Sequence, residues 1–198
     1  MAATMVPGIT LIVGLGNPGT EYADTRHNAG FRFIETLLSE SGATLHNERQ
    51  FSAQLGRIQL AERELWLMMP MTFMNHSGEA VASFARYYKV LPQHILVVHD
   101  ELDLPVGAVR LKIGGGDGGH NGVHDVVLRL GSPEFVRLRL GIGRPSPGGD
   151  ATSYVLKKPP MAERELLDAA IRAGLAHIGD IVHGQYQNVM NLLHTHSG

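Results

Sequence analysis

Apolar and polar positions fall in blocks along this chain, and each block predicts one element. Residues 9–13 are a short, mostly apolar run closed by Gly14, the pattern of a buried strand. Phe31, Phe33, Ile34, Leu37 and Leu38 then recur at helical spacing, with Gly42 as the stop. Residues 51–60 and 64–69 predict two strands, joined as a hairpin around Ala61-Glu62-Arg63. A loop over 70–77 leads to a helix from Gly78 to about Lys89, whose Val81, Phe84, Ala85 and Tyr88 share a face. Residues 95–98 form another apolar strand, and it runs into His99-Asp100-Glu101. Residues 109–113 predict a strand that enters a glycine-rich loop, 123–130 a helix and 136–142 a strand. Residues 144–152, rich in Pro, Gly and Ser, predict a surface loop. The stretch 163–184 is amphipathic at helical spacing, weakened at Gly174 and Gly179, and 188–194 predicts a short last helix.

Strands that alternate with helices predict an α/β fold: a single domain over residues 1–198, its central mixed, largely parallel twisted sheet flanked by helices. Residues 1–8 are expected to be a disordered tail. No repeat or low-complexity segment interrupts this reading.

Composition narrows the function classes. At 198 residues and 43% hydrophobic content, the chain is long enough for a substantial core. No apolar run reaches the length of a membrane span, and residues 1–8 lack the basic-then-apolar pattern of a signal peptide. The absence of cysteine excludes disulfides, thiolate nucleophiles and zinc–thiolate sites, and it fits a reducing compartment. A cytoplasmic protein with no membrane partner is therefore expected. The formal net charge of −2 counts mildly against a generally basic nucleic-acid binder but leaves room for a local basic patch. Of eleven histidines, those in the tail, such as His194 and His196, read as plain surface residues.

The candidate chemistry sits in two glycine-punctuated loops that each carry the dipeptide His-Asn. One is Gly14-Leu15-Gly16-Asn17-Pro18-Gly19 through His27-Asn28-Ala29-Gly30, and the other is Gly114 through His120-Asn121-Gly122. Structural loops need the glycines but not a histidine and an amide beside them. Two such loops point to one cleft that performs acid–base chemistry on a substrate held by amides. The first run matches the dinucleotide pattern G-x-G-x-x-G, yet that motif needs a helix starting within the glycines. Asn17-Pro18-Gly19 is instead a turn sequence, and Pro18 pushes Asn17 out of helical geometry. His27 is the candidate general base, and Asp100 the best candidate to orient it, with Glu101 and Asp103 as rivals.

In Met71-Thr72-Phe73-Met74-Asn75-His76-Ser77-Gly78, either Asn75 or Ser77 suits the N-cap of the next helix. Phe73 and Met74 read either as core or as an apolar wall for substrate. Asn17, Asn75 and Asn121 would then be three neutral amides on three loops, suited to a peptide backbone or an oxyanion. A metal reading lacks the short spacings H-x-x-x-H and H-x-H on any predicted element apart from the tail, and no G-x-S-x-G supplies a serine nucleophile.

Residues 16–30, Gly-Asn-Pro-Gly-x-x-Tyr-x-x-Thr-Arg-His-Asn-x-Gly, resemble the N-terminal signature of the bacterial-type peptidyl-tRNA hydrolase family. Residues 70–78 and 99–122 are similar to the family's second and third motifs, and their order and spacing agree over nearly the whole chain. The resemblance implies a monomeric α/β enzyme, without metal or other cofactor, that cleaves the ester between a peptide and the 3′-terminal ribose of tRNA. It implies His27 as the base, Asp100 as its carboxylate, and Asn17 as the amide that tells blocked from free aminoacyl ends. Asn75, Asn121, Met74 and His120 would bind substrate, with Asn121 also placing the water. Tyr22 and Phe73 would line the site for the tRNA end and first amino acid, and Lys112 and Arg139 would clamp a tRNA phosphate, with Arg110 and Arg137 nearby. One departure stands out: where the family often has Lys after Asn-Gly-Leu, this chain has Val123-His124, so a cation is missing on the expected tRNA side at neutral pH.

Overall fold

The computed structural model describes residues 8–195. β1 (Leu11–Gly14) leads through a polar stretch, with one 3-10 turn at Arg26–Asn28, into α1 (Ala29–Ser41). β2 (His46–Glu48), β3 (Ala53–Leu60), β4 (Arg63–Pro70), α2 (Ser77–Tyr88), β5 (Ile95–Glu101) and β6 (Val109–Ile113) follow. Next come α3 (Asn121–Leu130) and β7 (Val136–Gly141), and then α4 (Ala151–Val155), α5 (Met161–Ala176), α6 (Ile178–Val182) and α7 (Tyr186–Thr195).

The strands form one seven-stranded sheet in the order β2-β3-β4-β1-β5-β7-β6. The central β4, β1, β5 and β7 run parallel, while β3 and β6 pair antiparallel with their neighbours β4 and β7. This is the mixed, largely parallel sheet the pattern predicts. Because helices cover both faces, the central strands are apolar on both sides. Leu11 and Val13 of β1, with Ile95 and Val97 of β5, face a layer that holds Val81 and Phe84 of α2 and Val123 and Val126 of α3. Ile12, Leu96 and Val98 point the other way, into a layer with Phe33 and Ile34 of α1 and Leu167 and Ile171 of α5. The two-residue period of the strand makes this division.

Two glycines let α1 approach the sheet. A Cβ on Gly14 would stand 2.3 Å from the Gly30 carbonyl oxygen, and one on Gly30 would stand 2.3 Å from that of Val98. The hairpin between β3 and β4 turns at Ala61 and Glu62, both with positive φ (48° and 62°), as a two-residue hairpin loop requires.

Some elements differ from expectation. β2 consists of three exposed polar residues, so hydrophobic patterning cannot reveal it, and it exists by pairing with β3. The predicted loop 144–152 already contains the start of α4, whose N-cap Asp150 accepts a hydrogen bond from the Ser153 amide. The long helix expected over 163–184 breaks at His177, between the two glycines that weaken it. The expected tail lies outside the described residues except for Gly8, which is buried against Arg63 and the Val182 carbonyl. His196 also lies outside them, while His194 is exposed. Among the described residues no helix is long and apolar enough to cross a membrane.

Candidate active site

Three strand ends deliver the candidate residues to one place. β1 leads to Asn17, β4 to the Phe73–Asn75 segment, and β5 carries Asp100 near its end. All three are parallel neighbours, so their C-terminal ends share an edge of the sheet, where open α/β folds build their sites. Two helix starts meet them there from opposite faces: His27 lies just before α1, and His120 is the N-cap of α3.

Asp100 is the centre. Its carboxylate is buried and accepts hydrogen bonds from two imidazoles. His27 Nδ1 lies 3.0 Å from both carboxylate oxygens, and His120 Nε2 lies 2.9 Å from Oδ1. Burial alone would raise the carboxyl's pKa, but the two histidines outweigh it and hold the group well below the usual carboxylate range. Glu101 and Asp103, the sequence rivals, are occupied elsewhere. Glu101 accepts from the Asp103 amide and faces Arg139 at 3.9 Å, and Asp103 pairs with Arg144.

Each imidazole has a defined job. With Nδ1–H of His27 on Asp100, the His27 Nε2 lone pair is left open and able to accept a proton. Burial pushes the His27 pKa down, and the charge and hydrogen bond of Asp100 push it up by more, so the net shift is upward from 6.5. His120 accepts at Nδ1 from the amides of Gly122 (3.1 Å) and Val123 (3.2 Å), which puts its proton on Nε2, toward Asp100. His120 therefore caps α3 and braces the carboxylate, where the sequence suggests a substrate contact. A third ring, His99, donates from Nδ1 to the Asp100 carbonyl oxygen (2.7 Å) and packs edge-on against His120. Burial, with His120 second, lowers the His99 pKa to about 3, so this ring stays neutral.

The donor atoms of His27, Asp100 and His120 lie within 4.8 Å of one another, close enough to consider a metal. The distances from each histidine to Asp100, 2.9–3.0 Å, are those of hydrogen bonds, and the outer nitrogen of His120 is already committed to the helix cap. Asp100 and both nitrogens of His120 have protein partners, and His27 Nε2 alone is left open.

The amides divide into anchored and free. Asn17 accepts at Oδ1 from the Met74 amide (2.7 Å), while Asn28 grips the Asn17 backbone through its side-chain oxygen (2.8 Å) and nitrogen (2.9 Å). Asn17 is thus fixed with its NH2 unspent, at the edge of a cleft of about 280 Å³ lined also by Gly19, Ala23, Phe31, Gln54 and Met71. Asn75 and Asn121 are exposed at the starts of the segments that carry α2 and α3. Neither Asn75 nor Ser77 caps α2. Asp125 of α3 does so from outside, accepting from the Gly78 amide at 2.8 Å.

Tyr22 and Phe73 meet edge-to-face at 6.4 Å, and Phe73 is 59% exposed, a suitable apolar wall. Met74 is a correction: its side chain is 4% exposed within the core beside Gly122, and its contribution to the site is its backbone N–H. The basic residues also divide. Lys112 and Arg139 are half-buried on adjacent strands β6 and β7, whereas Arg137 is buried and holds the carbonyls of Gly115, Gly116 and Pro133. Arg110 reaches the Leu193 carbonyl of α7. His124 pairs with Asp117 at 2.8 Å, so it braces the glycine loop.

Arg26 and Asn28, which the sequence marks only as neighbours of His27, and His99 and Asp125, which it gives no role, are bound into the site by hydrogen bonds. Arg26 and Asn28 flank His27, which was the available signal. The partners of His99 and Asp125 lie on other elements, and no local pattern marks them.

A buried His–Asp pair with one open imidazole nitrogen, set among neutral amides at the ends of parallel strands, defines a hydrolytic enzyme of the α/β class. The family model for peptidyl-tRNA hydrolase matches residues 11–198. Peptidyl-tRNA hydrolase of Teredinibacter turnerae is 51% identical over 94% of this chain and 97% of its own, and that of Neisseria gonorrhoeae is 46% identical over the same shares. The crystal structure of peptidyl-tRNA hydrolase from Acinetobacter baumannii superposes with a TM-score of 0.91 at 46% identity, covering 96% of this chain and 97% of that one. The chain belongs to the peptidyl-tRNA hydrolase family.

Proposed function

We propose that this protein hydrolyses the ester between a peptide, or an N-blocked amino acid, and the 3′-terminal ribose of tRNA, releasing both. The observation that carries the reading is the His27–Asp100 pair, 3.0 Å apart and buried, with His27 Nε2 uncommitted. Neutral His27 takes a proton from water, and Asp100 holds the imidazole in the right tautomer and stabilises the imidazolium. The water oxygen bonds to the ester carbonyl carbon, and Asn121 or Asn75 donates to the developing oxyanion. Collapse breaks the bond to the ribose oxygen, which takes the proton back from His27.

His120 supports the step by keeping Asp100 ionised and aimed. Asn17, held by Asn28 and Met74, offers its NH2 to the first residue of the peptide. Tyr22 and Phe73 supply an apolar wall for that residue and the tRNA end. Lys112 and Arg139 provide the phosphate contact, with Glu101 setting the position of Arg139. No step calls for a metal, a cofactor or a protein nucleophile. The reading is of a single-domain monomer working in the cytoplasm, and the lack of cysteine fits a reducing compartment.

The test is hydrolysis of N-acetyl-aminoacyl-tRNA in EDTA, wild type beside His27→Ala. Wild type should cleave, and the variant should lose about 10²–10⁴-fold while still binding tRNA. Cleavage that stops in EDTA, or survives in the variant, removes the metal-free histidine base.

A further inference from the structure

The residue next to the base has an unusual set of partners. Arg26 is a charged side chain only 6% exposed, and it reaches across to the segment that holds α4. Its Nη1 donates to the carbonyl oxygens of Tyr154 (3.2 Å) and Lys157 (3.4 Å). Its Nη2 pairs with Glu163 at the start of α5 (2.8 Å), its guanidinium lies 4.0 Å from the centre of the Tyr154 ring, and its own amide donates to the Lys157 oxygen (3.2 Å). Tyr154 is in turn tied down by its hydroxyl, which donates to the Ile142 carbonyl (2.7 Å). One planar cation thus fastens the last turn of α4 and the chain after it to the turn that carries His27.

The position of α4 explains why this matters. Between His27, Asp100, His120 and Asn121 on one side and Ala151, Thr152 and Val155 on the other lies a chamber of about 70 Å³. That is room for about two water molecules. α4 is only five residues long and follows a loop of Pro, Gly and Ser, so it has little hold of its own. Val155 is its one buried side chain.

We infer that Arg26 is a positioning residue, which fastens the α4 wall to the His27 turn and so fixes the shape of the chamber in which the base meets its water. The inference rests on the hydrolase reading above. A lysine has one point charge and cannot span two carbonyls, a carboxylate and a ring face together, so Arg26→Lys loosens the wall while it keeps the charge. The tRNA contacts lie on β6 and β7 and stay in place.

The experiment measures kcat and KM for N-acetyl-aminoacyl-tRNA, with amide hydrogen exchange on the same samples. Arg26→Lys should lower kcat about tenfold to a hundredfold with KM within twofold, as misplacement near a reacting centre does. Exchange should quicken in residues 150–157 and stay unchanged in β5. A kcat within twofold of wild type, or exchange quickened equally in β5, overturns the inference. If Arg26→Lys yields no folded protein, Tyr154→Leu, which removes the ring and its tether, must show the same kcat-selective loss. Full activity there overturns it equally. Failure of wild type to cleave the substrate would instead strike the hydrolase reading itself.

Discussion

At the scale of single residues, the site is a contest over one proton. On the proposed mechanism His27 acts when neutral, and Asp100 raises its pKa above 6.5 despite burial. Activity must therefore fall as pH drops through a value higher than 6.5, the midpoint an unperturbed histidine would give. Asp100→Asn removes both upward influences and leaves burial, so the acid limb of kcat/KM should move below 6.5, with kcat reduced by about 10⁴-fold through loss of the tautomer. A pH–rate profile of the two proteins, with chemistry shown to be limiting, checks both the sign and the shift. An acid limb at the same pH in both would mean that Asp100 does not set the base. The stability linkage has the same origin. The raised pKa contributes stability that is fully present below the unfolded histidine value and is lost as pH rises through the folded one.

At the scale of elements, the amides owe their placement to contacts between helices. Asp125 of α3 accepts from the Gly78 amide at the start of α2, and Gly78 is close enough to α3 that a Cβ would stand 2.2 Å from the Asp125 carbonyl oxygen. Asp125→Ala leaves that buried N–H without a partner, at a cost of about 1–3 kcal/mol. For a chain of this size the melting temperature should drop by roughly 2–4 °C for each kcal/mol, which calorimetry can read. Because the first residues of both helices move with the loss, KM should rise as well. An unchanged melting temperature would show that the helix start finds another acceptor.

Patterns within an element were readable, and pairings between elements were not. The strands at 95–98, which the structure extends to Glu101, and at 109–113, with the helix stop at Gly42, follow from local periodicity and end signals. Gly42 indeed sits at φ 69° as the cap of α1. β2 has no such signal, α4 hides in a stretch whose composition says loop, and of Phe73 and Met74, each open to a core or a wall reading, Met74 is core and Phe73 is exposed. His27 and Asp100 stood out because acid–base chemistry needs those residue types after strand ends. The bracing of Asp100 by His120, of Asn17 by Asn28 and of α4 by Arg26 depends on which strands lie side by side, which one sequence does not display.

At the scale of the whole molecule, charge is distributed unevenly. The net charge is −2, yet β6 and β7 place Arg110 opposite Arg139 and Lys112 opposite Arg137. Like charges directly across a sheet repel, and an anion between them offsets this. Arg137 is spent on loop carbonyls, which leaves Lys112 and Arg139 as the cations of the proposed phosphate contact. In Lys112→Ala, KM for the tRNA substrate should rise more than kcat falls. The slope of log(kcat/KM) against log salt should flatten by about one unit. Kinetics across a salt series would read this, and an unchanged slope would take Lys112 out of the phosphate contact.

The meeting of two helix starts on one carboxylate has a consequence for the making of the protein. His27 belongs to the first third of the chain, Asp100 and His120 come much later, and the wall fastened by Arg26 later still. No fragment that stops short of His120 holds the His27–Asp100–His120 set, and none that stops before α4 holds the wall beside it. On the proposed mechanism the molecule stays inert during synthesis until nearly all of it has emerged and the two hydrophobic layers have closed on the sheet from both sides. Hydrolysis is therefore a test of finished folding, and a chain cut anywhere between its two His-Asn pairs would regain activity only by reassembling the halves.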